Sequence, residues 1–128
     1  MSLKESLRVM VVDDMTASRG LLTQALDQIG IKKYDWVKDG QEALNSLATN
    51  PAHLVISDHE MPKMTGLGLL EALRLNKQTQ KIGFILVTGS ADPNVIKEGH
   101  KLGMNNYLKK PFDVAGLQKC IESVVGKL

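Results

Sequence analysis

The sequence has one cysteine, Cys120, among its 128 residues, so an internal disulfide framework is excluded. No apolar run approaches the ~20 residues that a membrane-spanning helix requires, and the N-terminus lacks the hydrophobic core of a signal peptide. We therefore expect a cytoplasmic protein that makes no contact with a membrane. Cys120 falls within an apolar helical pattern, which predicts a packed thiol rather than a reactive one.

The chain also lacks a strong excess of either charge. Its 16 lysines and arginines nearly balance its 14 aspartates and glutamates, for a net charge of +2. The lysines are spread along the chain, so we expect no direct contact with nucleic acid. No repeat and no low-complexity segment interrupts the sequence. We expect a single domain over residues 1–128, long enough to bury a hydrophobic core.

Five short apolar runs alternate with helical patterns along the chain. The runs predict β-strands at residues 7–12, 34–37, 54–58, 84–87 and 106–109. Two of them, at 54–56 and 84–87, are continuous rather than alternating, which is typical of strands buried on both faces of a parallel sheet. The pattern predicts an α/β fold, namely a doubly wound (βα)5 flavodoxin-like three-layer sandwich with a parallel sheet in the order 2-1-3-4-5.

Polar residues predict where the helices begin. Asp39 and Glu42 have the spacing of a capping box before the second helix. Asp92 is followed by a proline, a favourable start for the fourth helix, and Asp113 is positioned to cap the fifth. The first helix is predicted to be capped by Asp14 or by the threonine at position 16.

Apolar residues at helical spacing predict the buried faces of the helices. Those of the first and third helices are Leu21, Leu22, Ala25, Leu26 and Ile29, and Leu67, Leu69, Leu70, Leu73 and Leu75. The fourth helix, which is predicted to run to about residue 102, offers only a thin apolar face. We therefore expect the fourth helix to be the least firmly packed.

Charged and polar residues stand where the predicted strands end. Asp13 and Asp14 follow strand 1, and Asp58 ends strand 3. Because these strand ends meet at the switch point of the predicted sheet, the three carboxylates should converge, and a bound Mg²⁺ would relieve their repulsion. Thr88 and Lys110 end the next two strands and offer a hydroxyl and an ammonium for phosphoryl oxygens. A carboxylate in such a pocket can itself accept a phosphoryl group.

Four motifs at these strand ends carry a resemblance to a known family. They are Val11-Val12-Asp13-Asp14, the stretch Asp58-His59-Glu60-Met61-Pro62-Lys63-Met64-Thr65-Gly66, Val87-Thr88-Gly89 and Lys110-Pro111-Phe112. In this order they resemble the receiver domain of two-component response regulators over nearly the whole chain. The chain length and the segment 13–19 look most like the stand-alone chemotaxis regulators of the CheY type.

The resemblance implies a role for each polar residue of the site. Asp58 accepts a phosphoryl group from the histidine of a sensor kinase. Asp14 and Asp58 bind Mg²⁺ directly, Asp13 acts largely through water, and the backbone carbonyl of Glu60 is a further ligand. The chain is then a signalling switch rather than an enzyme, since it catalyses only its own phosphorylation and dephosphorylation.

The resemblance also implies how the phosphoryl group is read. Thr88 and Lys110 contact the phosphoryl oxygens, and Tyr107 matches the switch aromatic that turns inward when Thr88 moves. The bond between Lys110 and Pro111 is cis in many receivers. The implied partners are a CheA-like sensor histidine kinase, a downstream protein such as the flagellar motor switch, and a phosphatase. The target would bind the surface formed by the fourth helix, the fifth strand and the fifth helix.

Several other residues carry weaker expectations. His59 is expected to be a solvated loop residue, with control of phosphoryl access as the alternative. Glu60 and Ser90 occupy positions that tune the lifetime of the phosphate in the family. Trp36 is expected to pack near strand 2, away from the site. Four lysines are interpreted as a solvated face or as a surface for an acidic partner; they are Lys97, Lys101, Lys109 and Lys119.

Two other functions of a similar fold fit the residues less well. A phosphatase with an aspartyl-phosphate intermediate needs a second acid–base aspartate soon after the nucleophile, where His59 and Glu60 stand, and it needs a cap domain. A flavodoxin would place a phosphate near Asp13 and Asp14, which would repel it. A receiver excised from a larger regulator, or one that serves as a phosphate sink, stays open.

Overall fold

The computed structural model describes residues 2–89 and 92–128, which contain five β-strands and six helices. The strands are β1 (Arg8–Val12), β2 (Lys33–Val37), β3 (Leu54–Asp58), β4 (Gly83–Thr88) and β5 (Asn106–Lys109). The helices are α1 (Leu3–Ser6), α2 (Thr16–Ile29), α3 (Gly40–Thr49), α4 (Gly66–Leu75), α5 (Pro93–Lys101) and α6 (Val114–Val125). All five predicted strands are confirmed to within one residue at each end, whereas α1 was not predicted.

The sheet has the strand order β2-β1-β3-β4-β5, and every neighbouring pair is parallel. This confirms the predicted doubly wound topology. Val12 pairs with Ser57, and Asp58 pairs with Val87. The residues that follow β1 therefore lie beside the end of β3, and the end of β4 lies on its other side.

Side chains of the central strands alternate between two cores, one on each face of the sheet. Val11 packs into the core that α2 and α6 cover, whereas Val12 packs into the core that α3 and α4 cover. Leu26 of α2 and Phe84 of β4 are fully buried, one on each side. Burying one large apolar side chain contributes about 1.5–3 kcal/mol to folding. The two cores together fix the strand ends that carry the site.

The predicted caps of three helices are confirmed. Asp39 accepts a hydrogen bond from the backbone N–H of Glu42 at 2.8 Å, and the carboxylate of Glu42 accepts one from the N–H of Lys38, just outside the helix. Asp92 accepts a hydrogen bond from the N–H of residue 94 at 2.9 Å. Asp113 accepts one from the N–H of residue 116 at 2.7 Å.

The predicted cap of the first long helix is wrong. The N-cap of α2 is Met15, which makes no side-chain capping bond, and neither Asp14 nor Thr16 occupies that position. The N–H of Met15 instead donates to the carboxylate of Asp13 at 3.0 Å, so the turn before the helix is closed by the aspartate one residue earlier.

Two predicted core residues lie outside the cores. Leu21 is 61% exposed and Leu75 is 81% exposed. Leu21 precedes the buried Leu22 by one residue, a rotation of about 100° around the helix, which takes it off the buried face. Leu75 is the last residue of α4, beyond the last buried turn. The other residues of the two predicted stripes are buried or half-buried.

Helix α5 corresponds to the fourth predicted helix, because the short α1 was not predicted. It has the weak packing that was expected of that helix. Gly99 is its only buried residue, and Val95 and Ile96 are half-buried against the core beside α4. A Cβ at Gly99 would lie 2.8 Å from the sulfur of Met104. Across residues 2–89 and 92–128, no helix combines the length and the apolar character needed to cross a lipid bilayer.

Candidate functional site

Three carboxylates meet at the carboxyl edge of the sheet, as the sequence predicted. Asp13 and Asp14 follow β1, Asp58 is the last residue of β3, and one oxygen of each lies within 4.8 Å of the others. Asp13 is fully buried, Asp58 is 5% exposed, and Asp14 is half-buried. The fold therefore concentrates negative charge in a pocket that is largely closed to water.

Two of these carboxylate oxygens lack a hydrogen-bond partner within the described part of the chain. They are Oδ2 of Asp13 and Oδ1 of Asp14, and both are buried. The ammonium of Lys110 lies 3.8 Å from Oδ2 of Asp13, too far for a hydrogen bond. Buried anionic oxygens without partners are costly, and a hard divalent cation would satisfy them. The donor set fits Mg²⁺, which takes oxygen ligands and retains water.

Asp58 is the carboxylate whose environment is most perturbed. Burial raises its pKa above the ordinary range of an aspartate, and the positive charge of Lys110 opposes this rise. The negative charge of Asp13 adds to the rise. In the metal-free pocket, the ionised form of Asp58 is thus disfavoured, and a cation would favour it.

Lys110 reaches Asp58 from the end of β5. Its Nζ lies 3.2 Å from Oδ1 of Asp58 and 2.8 Å from Oγ of Ser18, and its side chain is 26% exposed. Lys109, the neighbouring lysine, is exposed. Ser18, which lies in the first turn of α2 close to the acidic pair, was not predicted from the sequence. That position was the one signal that could have indicated it.

Thr88 lies at the same edge of the sheet. It ends β4, is 2% exposed, and its backbone carbonyl accepts a hydrogen bond from the N–H of Lys110 at 2.8 Å. Tyr107 lies on β5 opposite Leu86, two residues before the point where β5 reaches Thr88. Its side chain is 37% exposed. The peptide bond between Lys110 and Pro111 is cis.

The loop after β3 is fixed to the sheet by backbone hydrogen bonds. The N–H of His59 donates to Val87, and the N–H of Gly66 donates back to the carbonyl of His59 at 2.9 Å. Glu60 is exposed. His59 is half-buried rather than solvated, and its buried Nδ1 lacks a hydrogen-bond partner among the described residues. His59 is thus a loop residue, as expected, but it is only partly solvated. Ser90 lies outside the described residues.

Trp36 is connected to the site through one side chain. It lies on β2 and is half exposed, as expected for a residue near that strand. The guanidinium of Arg19 stacks 3.8 Å from the centre of its ring and donates to the backbone carbonyl of Asp13 at 3.1 Å. The expectation that Trp36 lies away from the site is thus only half correct, because Arg19 joins it to the acidic turn.

The sequence matches the response regulator receiver domain over residues 9–122. The chain belongs to the receiver domain family. Receivers are phosphorylation-activated signalling switches rather than conventional enzymes, and the acidic pocket described above is where such domains bind Mg²⁺. The match also sets aside the flavodoxin and phosphatase interpretations.

Similar proteins place this receiver close to the chemotaxis regulators. A probable chemotaxis protein CheY of Rhizobium etli is 42% identical over 128 residues, which are 100% of this chain and 99% of that protein. Chemotaxis protein CheY-3 of Vibrio cholerae is 27% identical over 98% of this chain and 97% of its own length. The solved structure of Vibrio cholerae CheY4 superposes with a TM-score of 0.86 at 30% identity, covering 92% of this chain and 98% of that one.

Proposed function

We propose that this receiver is phosphorylated on Asp58 by a sensor histidine kinase and signals through a protein partner in chemotaxis. One observation carries the proposal: Asp58 lies among two other carboxylates and in contact with the Lys110 ammonium at the sheet edge. The likeness to CheY proteins along the full chain supports the assignment to chemotaxis.

Asp13, Asp14 and Asp58 would hold Mg²⁺, with the backbone carbonyl of Glu60 as a further ligand. The ion, when bound, neutralises the charge that the pocket and the incoming phosphoryl group bring together. Oδ2 of Asp13 and Oδ1 of Asp14 support this assignment, because they are buried acceptors for which the described residues offer no hydrogen-bond donor. A pocket lined by neutral hydroxyl or amide groups would carry no negative charge for a cation to neutralise.

In the proposed transfer, an oxygen of Asp58 forms a bond to phosphorus as the bond from phosphorus to the kinase histidine breaks. The imidazole nitrogen keeps the electron pair, so Asp58 becomes an acyl phosphate and loses its carboxylate charge. The Lys110 ammonium is positioned to bind a phosphoryl oxygen, and Thr88 ends the neighbouring strand at the same edge. Hydrolysis of the acyl phosphate by water resets the switch.

The output surface is proposed to be the face formed by α5, β5 and α6. Thr88 and Tyr107 would shift a pre-existing equilibrium of this face when the phosphoryl group is present. The four exposed lysines on this face (Lys97, Lys101, Lys109 and Lys119) would favour an acidic partner. A flagellar motor switch protein would fit, and a phosphatase would act on the same acyl phosphate.

The test is the mass of the intact protein after exposure to acetyl phosphate, with Mg²⁺ or with EDTA. We expect a phosphoryl adduct on the wild type with Mg²⁺ only, and none on Asp58→Asn. Asp39→Asn makes the same chemical change at a helix cap and should be phosphorylated normally, since asparagine also caps helices. A wild type without adduct would remove the phosphoacceptor function.

A further inference from the structure

We propose that Ser18 positions Lys110 for phosphoryl transfer, an inference that rests on the function proposed above. The Ser18 hydroxyl lies 2.8 Å from Nζ of Lys110, whereas Oδ1 of Asp58 lies 3.2 Å away. Ser18 is therefore the nearer of the two hydrogen-bond partners that the described residues offer this ammonium. Neither the predicted fold nor the acidic motifs required a hydroxyl at this position.

Lys110 needs such a partner because of the nature of its side chain. A lysine ammonium is a compact charge on a flexible four-carbon stem, so its location is set by its contacts. Here the contacts come from two elements, Ser18 on α2 and Asp58 on β3. Two partners on separate elements fix the ammonium in the pocket, with Asp13 as a more distant third group at 3.8 Å.

A hydroxyl differs from a carboxylate as an anchor in this pocket. It accepts a hydrogen bond from Lys110 without adding a fourth negative charge to a cluster of three. When Asp58 forms an acyl phosphate, one carboxylate oxygen becomes bonded to phosphorus and the negative charge moves to the phosphoryl oxygens, so the partner that Asp58 offers Lys110 changes at that step. The bond to Ser18 does not depend on this charge. Ser18 thus keeps the ammonium beside the reacting oxygens before and after transfer.

The location of Ser18 is itself fixed relative to the acidic turn. The N–H of Met15 donates to the carboxylate of Asp13, and Arg19 donates to the Asp13 carbonyl. Leu22, one turn along α2 from Ser18, is fully buried. The first turn of α2 is therefore held at both sides of Ser18 by contacts with the core and with Asp13.

The kinetic test compares Ser18→Ala with Ser18→Thr in time courses of intact-protein mass over a range of acetyl phosphate concentrations with saturating Mg²⁺. We expect the maximal phosphorylation rate of Ser18→Ala to fall about tenfold, the effect of losing one charge-assisted hydrogen bond that orients a group. The half-saturating concentration of acetyl phosphate and the dissociation constant of Mg²⁺ should stay within about twofold of the wild-type values. Ser18 is proposed neither to bind the phosphodonor nor to ligate the metal.

Ser18→Thr should restore the rate to within about threefold, since it keeps the hydroxyl. An open groove of about 630 Å³ borders Ser18 and leaves room for the added methyl group. Thr16→Ala removes an exposed hydroxyl from the same turn and should behave as wild type. A Ser18→Ala rate equal to that of the wild type, or a Ser18→Thr rate as low as that of Ser18→Ala, would overturn the inference.

A second measurement separates this inference from the proposed function. The ¹⁵N signal of the Lys110 ammonium, assigned by its loss in Lys110→Arg, is recorded in EDTA. We expect the signal to shift and broaden in Ser18→Ala but not in Thr16→Ala, because of these two hydroxyls it is that of Ser18 that accepts from the ammonium. An unchanged signal in Ser18→Ala would overturn the positioning role even if the wild type is phosphorylated. A wild type without adduct would overturn the phosphoacceptor function, while the signal still decides whether Ser18 holds Lys110.

Discussion

Gly66 lies against the backbone of Asp58, with no room between them for a side chain. A Cβ at Gly66 would lie 2.6 Å from the carbonyl oxygen of Asp58 and 2.6 Å from a methyl group of Leu86. The N–H of Gly66 also donates to the carbonyl of His59. The first residue of α4 therefore determines how closely that helix approaches the phosphoacceptor strand.

Gly66→Ala should lower the free energy of unfolding by about 2 kcal/mol, because either α4 or the backbone of Asp58 must move. We also expect slower adduct formation with acetyl phosphate, since Asp58 would leave its place among the carboxylates. Urea denaturation gives the first quantity and intact-protein mass gives the second.

Gly20→Ala is the matched control for this substitution. Gly20 is exposed within α2, and a Cβ there would meet nothing within 4 Å. The change should raise the free energy of unfolding by about 0.5–1 kcal/mol, the usual gain from replacing glycine in a helix. Equal effects of the two substitutions would contradict the close approach at Gly66.

Asp58→Asn should stabilise the metal-free protein at neutral pH. Burial raises the pKa of Asp58, so the folded chain holds this proton more tightly than the unfolded chain does. Stability is therefore lost as the pH rises from the unfolded pKa of about 3.9 through the folded pKa. We expect a gain on the order of 1 kcal/mol for Asp58→Asn at pH 7 in EDTA, because the variant buries no charge at this position.

This gain should shrink as the pH falls through the folded pKa and be lost below about 3.9, where the carboxyl of the wild type becomes protonated in the unfolded state as well as in the folded one. Saturating Mg²⁺ should stabilise the wild type more than the variant, since Asp58 is a proposed ligand. The measurement is urea denaturation at several pH values. A variant less stable than wild type in EDTA at pH 7 would show that the bond to Lys110 outweighs burial.

Lys63 occupies a backbone conformation that favours other residues. Its φ is 69°, in the left-handed region, within the turn in which the N–H of Met64 donates to the carbonyl of Pro62. Lys63→Asn should raise the free energy of unfolding by about 0.5–1 kcal/mol, because asparagine tolerates this region better. Lys63→Val should lower it, since β-branched residues are poorly accommodated there. Thermal denaturation measures both variants. A change of the melting temperature in the same direction for both would refute this explanation.

Cys120 should be nearly inert toward alkylation in the folded protein. Burial raises the pKa of its thiol to about 11, and its sulfur lies 3.6 Å from the carbonyl oxygen of Tyr107. The thiolate fraction at pH 8 is then small, and iodoacetamide should react at least about 100-fold more slowly than with the unfolded chain.

The rate of that reaction should rise about tenfold per pH unit between pH 8 and 10, as the thiolate fraction does. Because the folded pKa is raised, ionisation of Cys120 also makes the fold less stable as the pH rises from about 8.5 toward 11. Cys120→Ser should show no labelling. Rapid labelling of the folded wild type at pH 8 would mean that the sulfur is accessible.

The strand ends could be predicted because two independent features of the sequence mark them. Apolar runs mark the strands, and the carboxylates of Asp13 and Asp58 follow them directly. The parallel topology then leaves one edge at which these groups can meet. Thr88 and Lys110 could be predicted to lie at this edge for the same reason, since each stands at the end of a strand of the same sheet.

Contacts made by helices could not be predicted in this way. Ser18 reaches Lys110, and Arg19 lies between Trp36 and the Asp13 carbonyl, because α2 has one particular rotation about its axis. Helical spacing indicates which residues share a face but not the angle of that face to within one residue. The same uncertainty explains why Leu21 was placed in the core although it is exposed.

The weak packing of α5 affects how the binding specificity of such a protein can change in evolution. The reactive carboxylates follow the central strands β1 and β3, whereas α5 packs on the protein through one buried glycine and two half-buried side chains. Substitutions on its solvent side therefore alter what the flank recognises without disturbing the chemistry at the sheet edge. After gene duplication, two copies could acquire different targets while both continued to respond to the same phosphodonor.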